Sequence, residues 1–329
     1  MKNIVSLLLA FAIFFCACSC SRNPEKEETT IQETTIATTT GKPVETTATT
    51  TATTTVEISY TDLLKTITLE NYPVVDGSTA TIPLAIGLIQ KITGCTEVQA
   101  EESIDFNTTD ASYYALAEGK SELLLVYAPS QPTIDELDVF STMDVREIGL
   151  DALVFIVNED NPIDSLTSDQ IRDIYSGKIT NWSEVGGEDL EIVAFQRPEL
   201  SGSQTLMLNL MMKDTAMMEP TTEIVSSSMA DMIEDISAYD NSANAIGYSV
   251  FFYAKNMYTQ PGLKFIAVDD VMPSNETINS REYGFINAFY GVLPLEPNPL
   301  AEAMLTWLLT EEGQQLLTDC GYVPIVEQK

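Results

Sequence analysis

The 329-residue chain contains no histidine. That absence removes imidazole general acid–base chemistry, the Ser-His-Asp triad and histidine-ligated metals together. Cations are scarce as well: 16 Lys and Arg stand against 49 Asp and Glu, a formal net charge of −33. With no basic stripe to neutralise a phosphate backbone, nucleic acid is excluded as a partner. Of the five cysteines, Cys16, Cys18 and Cys20 crowd the N-terminus, leaving only Cys95 and Cys320 in the body. There is no C-x-x-C and no metal-ligand spacing, so no metal and no cofactor are expected. For Cys95 and Cys320, two separate buried thiols are the preferred reading, with a disulfide as the alternative. What remains, 44% hydrophobic and 20% charged, is ordinary for a globular body that buries its own core.

The N-terminus reads "MKNIVSLLLAFAIFFCACSCSRN", with Lys2 ahead of an apolar run from Ile4 to Phe15. The run is too short to cross a bilayer comfortably and has signal-peptide length. It closes on a small residue followed by cysteine, at Ala17-Cys18 or Ser19-Cys20, and so resembles a bacterial lipoprotein signal. Residues 1–20 are assigned to that signal, with Cys18 favoured as the lipidated residue and Cys20 the other candidate. A lipid at this end anchors the protein to a membrane without spanning it. Residues 21–56 then collapse into a threonine-dominated stretch, "EETTIQETTIATTTGKPVETTATTTATTTV", with no apolar periodicity and no aromatic side chain. Such a segment cannot bury enough surface to offset its ordering entropy, so a disordered stalk is expected.

From about Glu57, strand-like and helix-like stretches alternate. "YPVVDG" (72–77) reads as a buried strand. The following "STATIPLAIGLIQKI" carries apolar residues at helical spacing, with Pro83 in its first turn. "FNTTDASYYALAEG" predicts a short helix with Thr109 as its cap and Gly119 as its stop, and "SELLLVYAPS" predicts another buried strand. "LDALVFIVN" (150–158) is a third strand. A helix follows with a capping box from Thr167 to Gln170, and "LEIVAFQRP" is a further strand. The alternation predicts an α/β architecture built on largely parallel sheets.

The chemistry concentrates where strands hand over to helices: Ser78-Thr79-Ala80, Thr108-Thr109 and Ser201-Gly202-Ser203. A helix N-terminus presents unpaired N–H groups and a positive dipole end, and together these receive anions. Gly202 lets the main chain approach an oxygen closely, and Arg197 offers a planar fork matched to an oxyanion. Serine and threonine are also ordinary helix caps, and a lone arginine among so many acids is ordinarily an ion pair. It is their conjunction in "QRPELSGSQTL" (196–206) that singles this region out.

From Asp76 onward the chain resembles the extracytoplasmic phosphate-binding proteins of ABC importers. The resemblance is carried chiefly by "GLDALVFIVNEDNPIDSLTSDQIRDIYSGKITNWSEVGGEDLEIVAFQRPELSGSQTL" (149–206). Supporting pieces are "DGSTATIPLA", "AIGYSVFFY", "MPSNETI" and "EEGQQLLTDCGYVPI". It implies a two-lobed, hinged periplasmic-binding-protein fold of type II, with phosphate held in the interlobe cleft. Residues 57–150 and 262–329 would form lobe 1 and residues 151–261 lobe 2. By motif, the ligand-binding residues would be Thr79, the N–H of Ala80, Thr109, Arg197, Ser201, Gly202 and Ser203. One position departs from the family pattern: where many members carry an aspartate that accepts the proton of hydrogen phosphate, this chain has Tyr127. A phenol accepts a hydrogen bond without a carboxylate's repulsion of sulfate, and Asp76 or Asp110 would be the acid to substitute for the missing carboxylate.

The implied function is capture of inorganic phosphate for delivery to an ABC permease, by a monomer anchored outside the cytoplasm. The alternative is a lipid-anchored surface sensor or scavenger of an oxyanion (phosphate, sulfate or molybdate) with no transporter of its own, which the long threonine segment favours. An enzyme using Ser201 or Ser203 as nucleophile is not expected, because no histidine or neighbouring lysine is there to act as base. Trp182, Tyr248, Phe251, Phe252 and Tyr253 are read as packing rather than as a sugar platform.

Overall fold

The computed structural model describes residues 59–199, 201–220, 225–226, 228–238 and 242–325. The leader with Cys18 and the threonine-rich segment lie outside the described residues. Ten strands are found among the described residues: β1 (Val75–Gly77), β2 (Leu123–Tyr127), β3 (Met143–Asn158), β4 (Ser165–Leu166), β5 (Val193–Ala194), β6 (Ala245–Val250), β7 (Leu263–Phe265), β8 (Ala267–Val268), β9 (Ile286–Pro294) and β10 (Val323–Pro324). The main sheet runs β1-β2-β9-β3-β6-β5, while β4 and β8 make a small separate pair.

The 16-residue β3 organises everything else. Its first part, Met143–Ala152, pairs with β9, and its second, Leu153–Val157, pairs with β6. One strand therefore serves two sheet halves, β1-β2-β9 on one side and β6-β5 on the other. Only the second part and its approach are legible as a buried apolar run. The first part opens with "MDVREIG", where Asp144, Val145 and Arg146 are half-buried and Glu147 is exposed between buried Met143 and Ile148, so it does not read as a continuous apolar run.

The α/β alternation is present, but the sheet is not largely parallel. β1/β2, β5/β6 and β4/β8 are parallel, whereas β2/β9, β9/β3 and β3/β6 are antiparallel. The reason is topological. Helix–strand alternation identifies units along the chain but not where a distant strand inserts, and β9 returns from far downstream to lie between β2 and β3.

Local rules explain the helices beside the site. Ile82–Thr93 begins with Pro83 in its first turn and ends on Gly94 in the left-handed region, and it buries Leu84, Ala85, Leu88 and Ile89. The buried stripe includes Leu84 and Leu88, which the isoleucine spacing alone does not pick out. Thr108 rather than Thr109 occupies the cap position of Thr109–Ala117, so Thr109 opens the helix. The capping box Thr167–Gln170 forms as the sequence indicates, on helix Ser168–Tyr175. Trp182, Tyr248, Phe251, Phe252 and Tyr253 are all buried, and Phe252 stacks on Tyr322 with ring centroids 3.6 Å apart. Cys95 and Cys320 are both free and half-buried.

Gly77 sets the spacing of the first strand pair. It stands opposite Leu125, and a Cβ there would lie 1.8 Å from the Leu125 carbonyl oxygen. Gly77→Ala must force β1 and β2 apart next to the Ser78 turn. The expected cost is about 2 kcal/mol or more, the upper part of the overpacking range, measured by chemical denaturation of the folded body.

Candidate functional site

Three chain segments converge on one cavity of about 250 Å³. β1 delivers Ser78 and Thr79, the helix starting at Thr109 delivers Thr108 and Thr109, and the loop after β5 delivers Arg197, Pro198, Ser201, Gly202 and Ser203. Tyr127 at the end of β2 and Val250 at the end of β6 also line it, with Met229. The first two segments belong to the β1-β2-β9 half of the sheet and the third to the β6-β5 half. All the residues singled out in the sequence meet here except Ala80, which is fully buried and does not line the cavity. Its carbonyl instead accepts a hydrogen bond from the Tyr322 hydroxyl at 2.7 Å.

Hydrogen bonds fix each wall. The Ser78 N–H donates to the Leu125 carbonyl at 3.1 Å, prolonging the β1/β2 ladder by one residue. The Ser78 hydroxyl accepts from the Tyr127 N–H at 3.1 Å and lies 2.9 Å from the Thr109 hydroxyl. Ser201 caps the helix Gly202–Leu206, its hydroxyl accepting from the Gln204 N–H at 3.3 Å. Across the cavity, a Cβ on Gly202 would fall 2.7 Å from the Thr109 hydroxyl oxygen. Glycine at 202 is therefore what lets segments from the two sheet halves approach this closely.

Arg197 is only 9% exposed. Its Nη1 donates to the Ser226 carbonyl at 2.8 Å and its Nε to the Ser203 hydroxyl at 3.4 Å, while its main-chain N–H donates to the Tyr248 hydroxyl at 3.1 Å. Burial lowers its pKa from the ordinary guanidinium value, and the fields of Tyr248, Asp231 and Tyr253 partly restore it. The group stays charged in all circumstances relevant to a protein. The cavity thus holds a desolvated cation surrounded by neutral hydroxyls and helix-start amides, a constellation that suits an anion.

Neither Asp76 nor Asp110 lines this cavity. Asp76 accepts from the Gly77 N–H at 2.7 Å and from the Asn107 main chain and side chain at 2.8 and 2.7 Å, so it pins the loop before Thr108. Asp110 accepts from the Ser130 N–H at 2.8 Å. The carboxylate that does matter nearby is Asp151. The Tyr127 hydroxyl donates to it at 2.5 Å, and the N–H groups of Ala152 and Phe252 donate to its other oxygen at 2.8 and 3.0 Å. Asp151 escaped the sequence reading, although its signal was visible: it is the one charged residue within the apolar run "LDALVFIVN", where an acid is almost never buried unless paired.

Fold and cavity together define an α/β module in which residues from both halves of the sheet line one small chamber. The chain belongs to the PBP superfamily, whose domain model matches residues 23–312. It is similar to the phosphate-binding protein PstS of Bacillus subtilis (strain 168), 26% identical over 268 residues that cover 78% of this chain and 81% of that protein. PstS of Borreliella burgdorferi (strain ATCC 35210 / DSM 4680 / CIP 102532 / B31) is 30% identical over 184 residues, covering 53% of this chain and 63% of that protein. Among solved structures, a Clostridium perfringens substrate-binding protein with bound phosphate superposes with a TM-score of 0.61 at 23% identity, covering 77% of this chain and 99% of that one. An ABC-type phosphate transport receptor from Vibrio cholerae gives 0.58 at 21%, with the same coverage.

Burial pushes the Asp151 carboxyl from 3.8 up to about 6, against the opposing hydrogen bonds from Tyr127 and the surrounding amides. The folded protein therefore holds this proton more tightly than an unfolded aspartate does. Its contribution to stability is lost as pH rises from about 4 to above 6, by on the order of 3 kcal/mol. Asp151→Asn has no such proton to lose. Relative to the parent, the variant should gain stability between pH 4.5 and 7.5, as measured by denaturant titration at both pH values; a parallel pH dependence would show that Asp151 titrates normally.

Proposed function

We propose that this protein is an extracytoplasmic solute-binding protein that captures inorganic phosphate in the chamber around Arg197 and passes it to an ABC permease. It binds and releases its ligand without chemistry. The observation that carries the reading is the convergence of Arg197, Ser201, Gly202 and Ser203 with Ser78, Thr79 and Thr109 from the opposite half of the sheet. Membership of the superfamily and the phosphate-binding relatives support it. Hydrogen bonds to a charged group contribute about 1.5–3 kcal/mol each. Four or five of them suffice for the roughly −8 kcal/mol of micromolar binding after the costs of closure.

The site works by shape and dipoles. Arg197 supplies the formal charge, the Thr109 and Ser203 hydroxyls and the helix-start amide of Gly202 supply directed donors, and burial strengthens each by excluding water. We draw the lobes about the switch point of β3 near Ala152, where its partner changes from β9 to β6. The second lobe then extends past residue 261, because β7 pairs with Ile156–Asn158 and β8 with β4. Hinge motion about this switch would open and close the chamber. Cys18 is the proposed lipid attachment point, the threonine-rich segment the tether, and a monomer the working unit. No helix among the described residues is long and apolar enough to cross a membrane.

Arg197→Ala should weaken phosphate binding more than tenfold, the equivalent of at least one charge-assisted bond. Calorimetric titration of phosphate into parent and variant measures this directly. Undiminished affinity in the variant would place the site elsewhere.

A further inference from the structure

The main-chain ladder that carries β5 stops just short of the chamber. The Phe195 N–H still donates to the Ile246 carbonyl at 2.9 Å, but the Arg197 N–H, two residues on, is taken by two side chains instead. It donates to the Tyr248 hydroxyl at 3.1 Å and to the Gln204 Oε1 at 3.3 Å, and the Tyr248 hydroxyl in turn donates to the same Oε1. Tyr248 comes from β6, and Gln204 from the helix Gly202–Leu206 whose start faces the chamber. Both are buried, and neither lines the chamber itself. Burial raises the Tyr248 phenol above its ordinary pKa, against the opposing effect of Arg197, so it keeps its proton and stays a donor to Gln204.

We propose that Gln204 and Tyr248 are positioning residues of the anion site, a hydrogen-bonded pair that clamps the root of Arg197 to the helix start at Gly202 and Ser203 before any ligand arrives. The inference rests on the reading of the chamber as a phosphate site and deepens it. Where the strand ladder ends, a buried N–H has to find another acceptor or cost the fold its desolvation. Supplying that acceptor from Gln204 ties the residue that carries the charge to the helix that carries the amide donors. Both ends of the loop between Arg197 and Gly202 are thereby pinned to one carbonyl oxygen, and Tyr248 fixes that oxygen to β6. With its acceptors and donors all committed, the triangle is a satisfied buried network, which is the rigid kind. A cation and amides held in place beforehand lose less freedom when the anion binds, and that saving appears as affinity.

Two substitutions separate this from a packing role. Tyr248→Phe removes the hydroxyl and keeps the ring edge-on against Tyr175, 5.5 Å away between centroids. Gln204→Met keeps an unbranched side chain of similar length and removes the acceptor. Titration calorimetry of inorganic phosphate at neutral pH, on parent and variants checked for cooperative thermal unfolding, reads the affinities. Each single variant should bind phosphate about tenfold more weakly, the equivalent of one misplaced charge-assisted hydrogen bond. The double variant should lose little more than either single one, because the pair acts as a unit. A merely structural role would not depend on the guanidinium, so the deciding readout is Tyr248→Phe made on Arg197→Ala: there the further loss should shrink to less than twofold. Should Gln204→Met fail to fold, Tyr248→Phe with and without the Arg197 side chain decides alone. Parental phosphate affinity in the folded variants, or an undiminished tenfold loss on the Arg197→Ala background, overturns the clamp and leaves the phosphate reading intact. A parent that binds no phosphate overturns both.

Discussion

A guanidinium taken out of water must be compensated, and the arrangement around Arg197 follows from that constraint. Its Nη1 is held by the Ser226 carbonyl and its Nε faces the Ser203 hydroxyl, so neutral dipoles fix its position at the chamber wall. Transferring a cation to such a place costs several kcal/mol unless an anion or dipoles repay it. Hydroxyls and amides repay part, and an oxyanion in the chamber would repay the rest. The cost of burying the charge in the unliganded protein is thus what gives the proposed ligand its hold.

The sheet turns this local constraint into a geometry. Arg197 follows β5, which lies parallel on β6; β6 lies on the second part of β3, and the first part of β3 leads through β9 to β2 and β1. The distance from Arg197 to Thr109 is therefore set through a single shared strand, and Gly202 permits the final approach. Asp151 occupies the switch point of that strand and binds the N–H of Phe252 just beyond β6. One carboxylate so ties both strands at the place where the halves join, while its other oxygen reaches the chamber wall through Tyr127. The global charge of −33 is a separate matter. It is screened beyond about 8 Å at physiological ionic strength, so it would slow the approach of an anion without deciding what happens at contact distance inside the chamber.

Much of the candidate site was legible in the sequence because it consists of short-range signals. The Arg197–Ser203 block, the helix-start hydroxyls and the capping boxes each depend on residues a few positions apart. What was not legible depends on long-range placement. The antiparallel centre of the sheet requires β9 to insert between β2 and β3, which no local pattern announces. Ala80 follows the Ser78-Thr79 turn in sequence, yet the 3₁₀ turn at Thr79–Thr81 carries it into the core beneath Tyr322. Tyr127 was recognisable as a departure from the family pattern, but the carboxylate its hydroxyl reaches is Asp151, on β3, and neither Asp76 nor Asp110.

The central claim is that segments from both halves of the sheet enclose a single anion. A crystal structure of the protein grown with inorganic phosphate tests it most directly. The account predicts one phosphate within hydrogen-bond distance of the Arg197 guanidinium, the Gly202 N–H and the Thr109 hydroxyl, and shielded from solvent. Phosphate bound only at the outer surface, with the Arg197 chamber holding water, would contradict it.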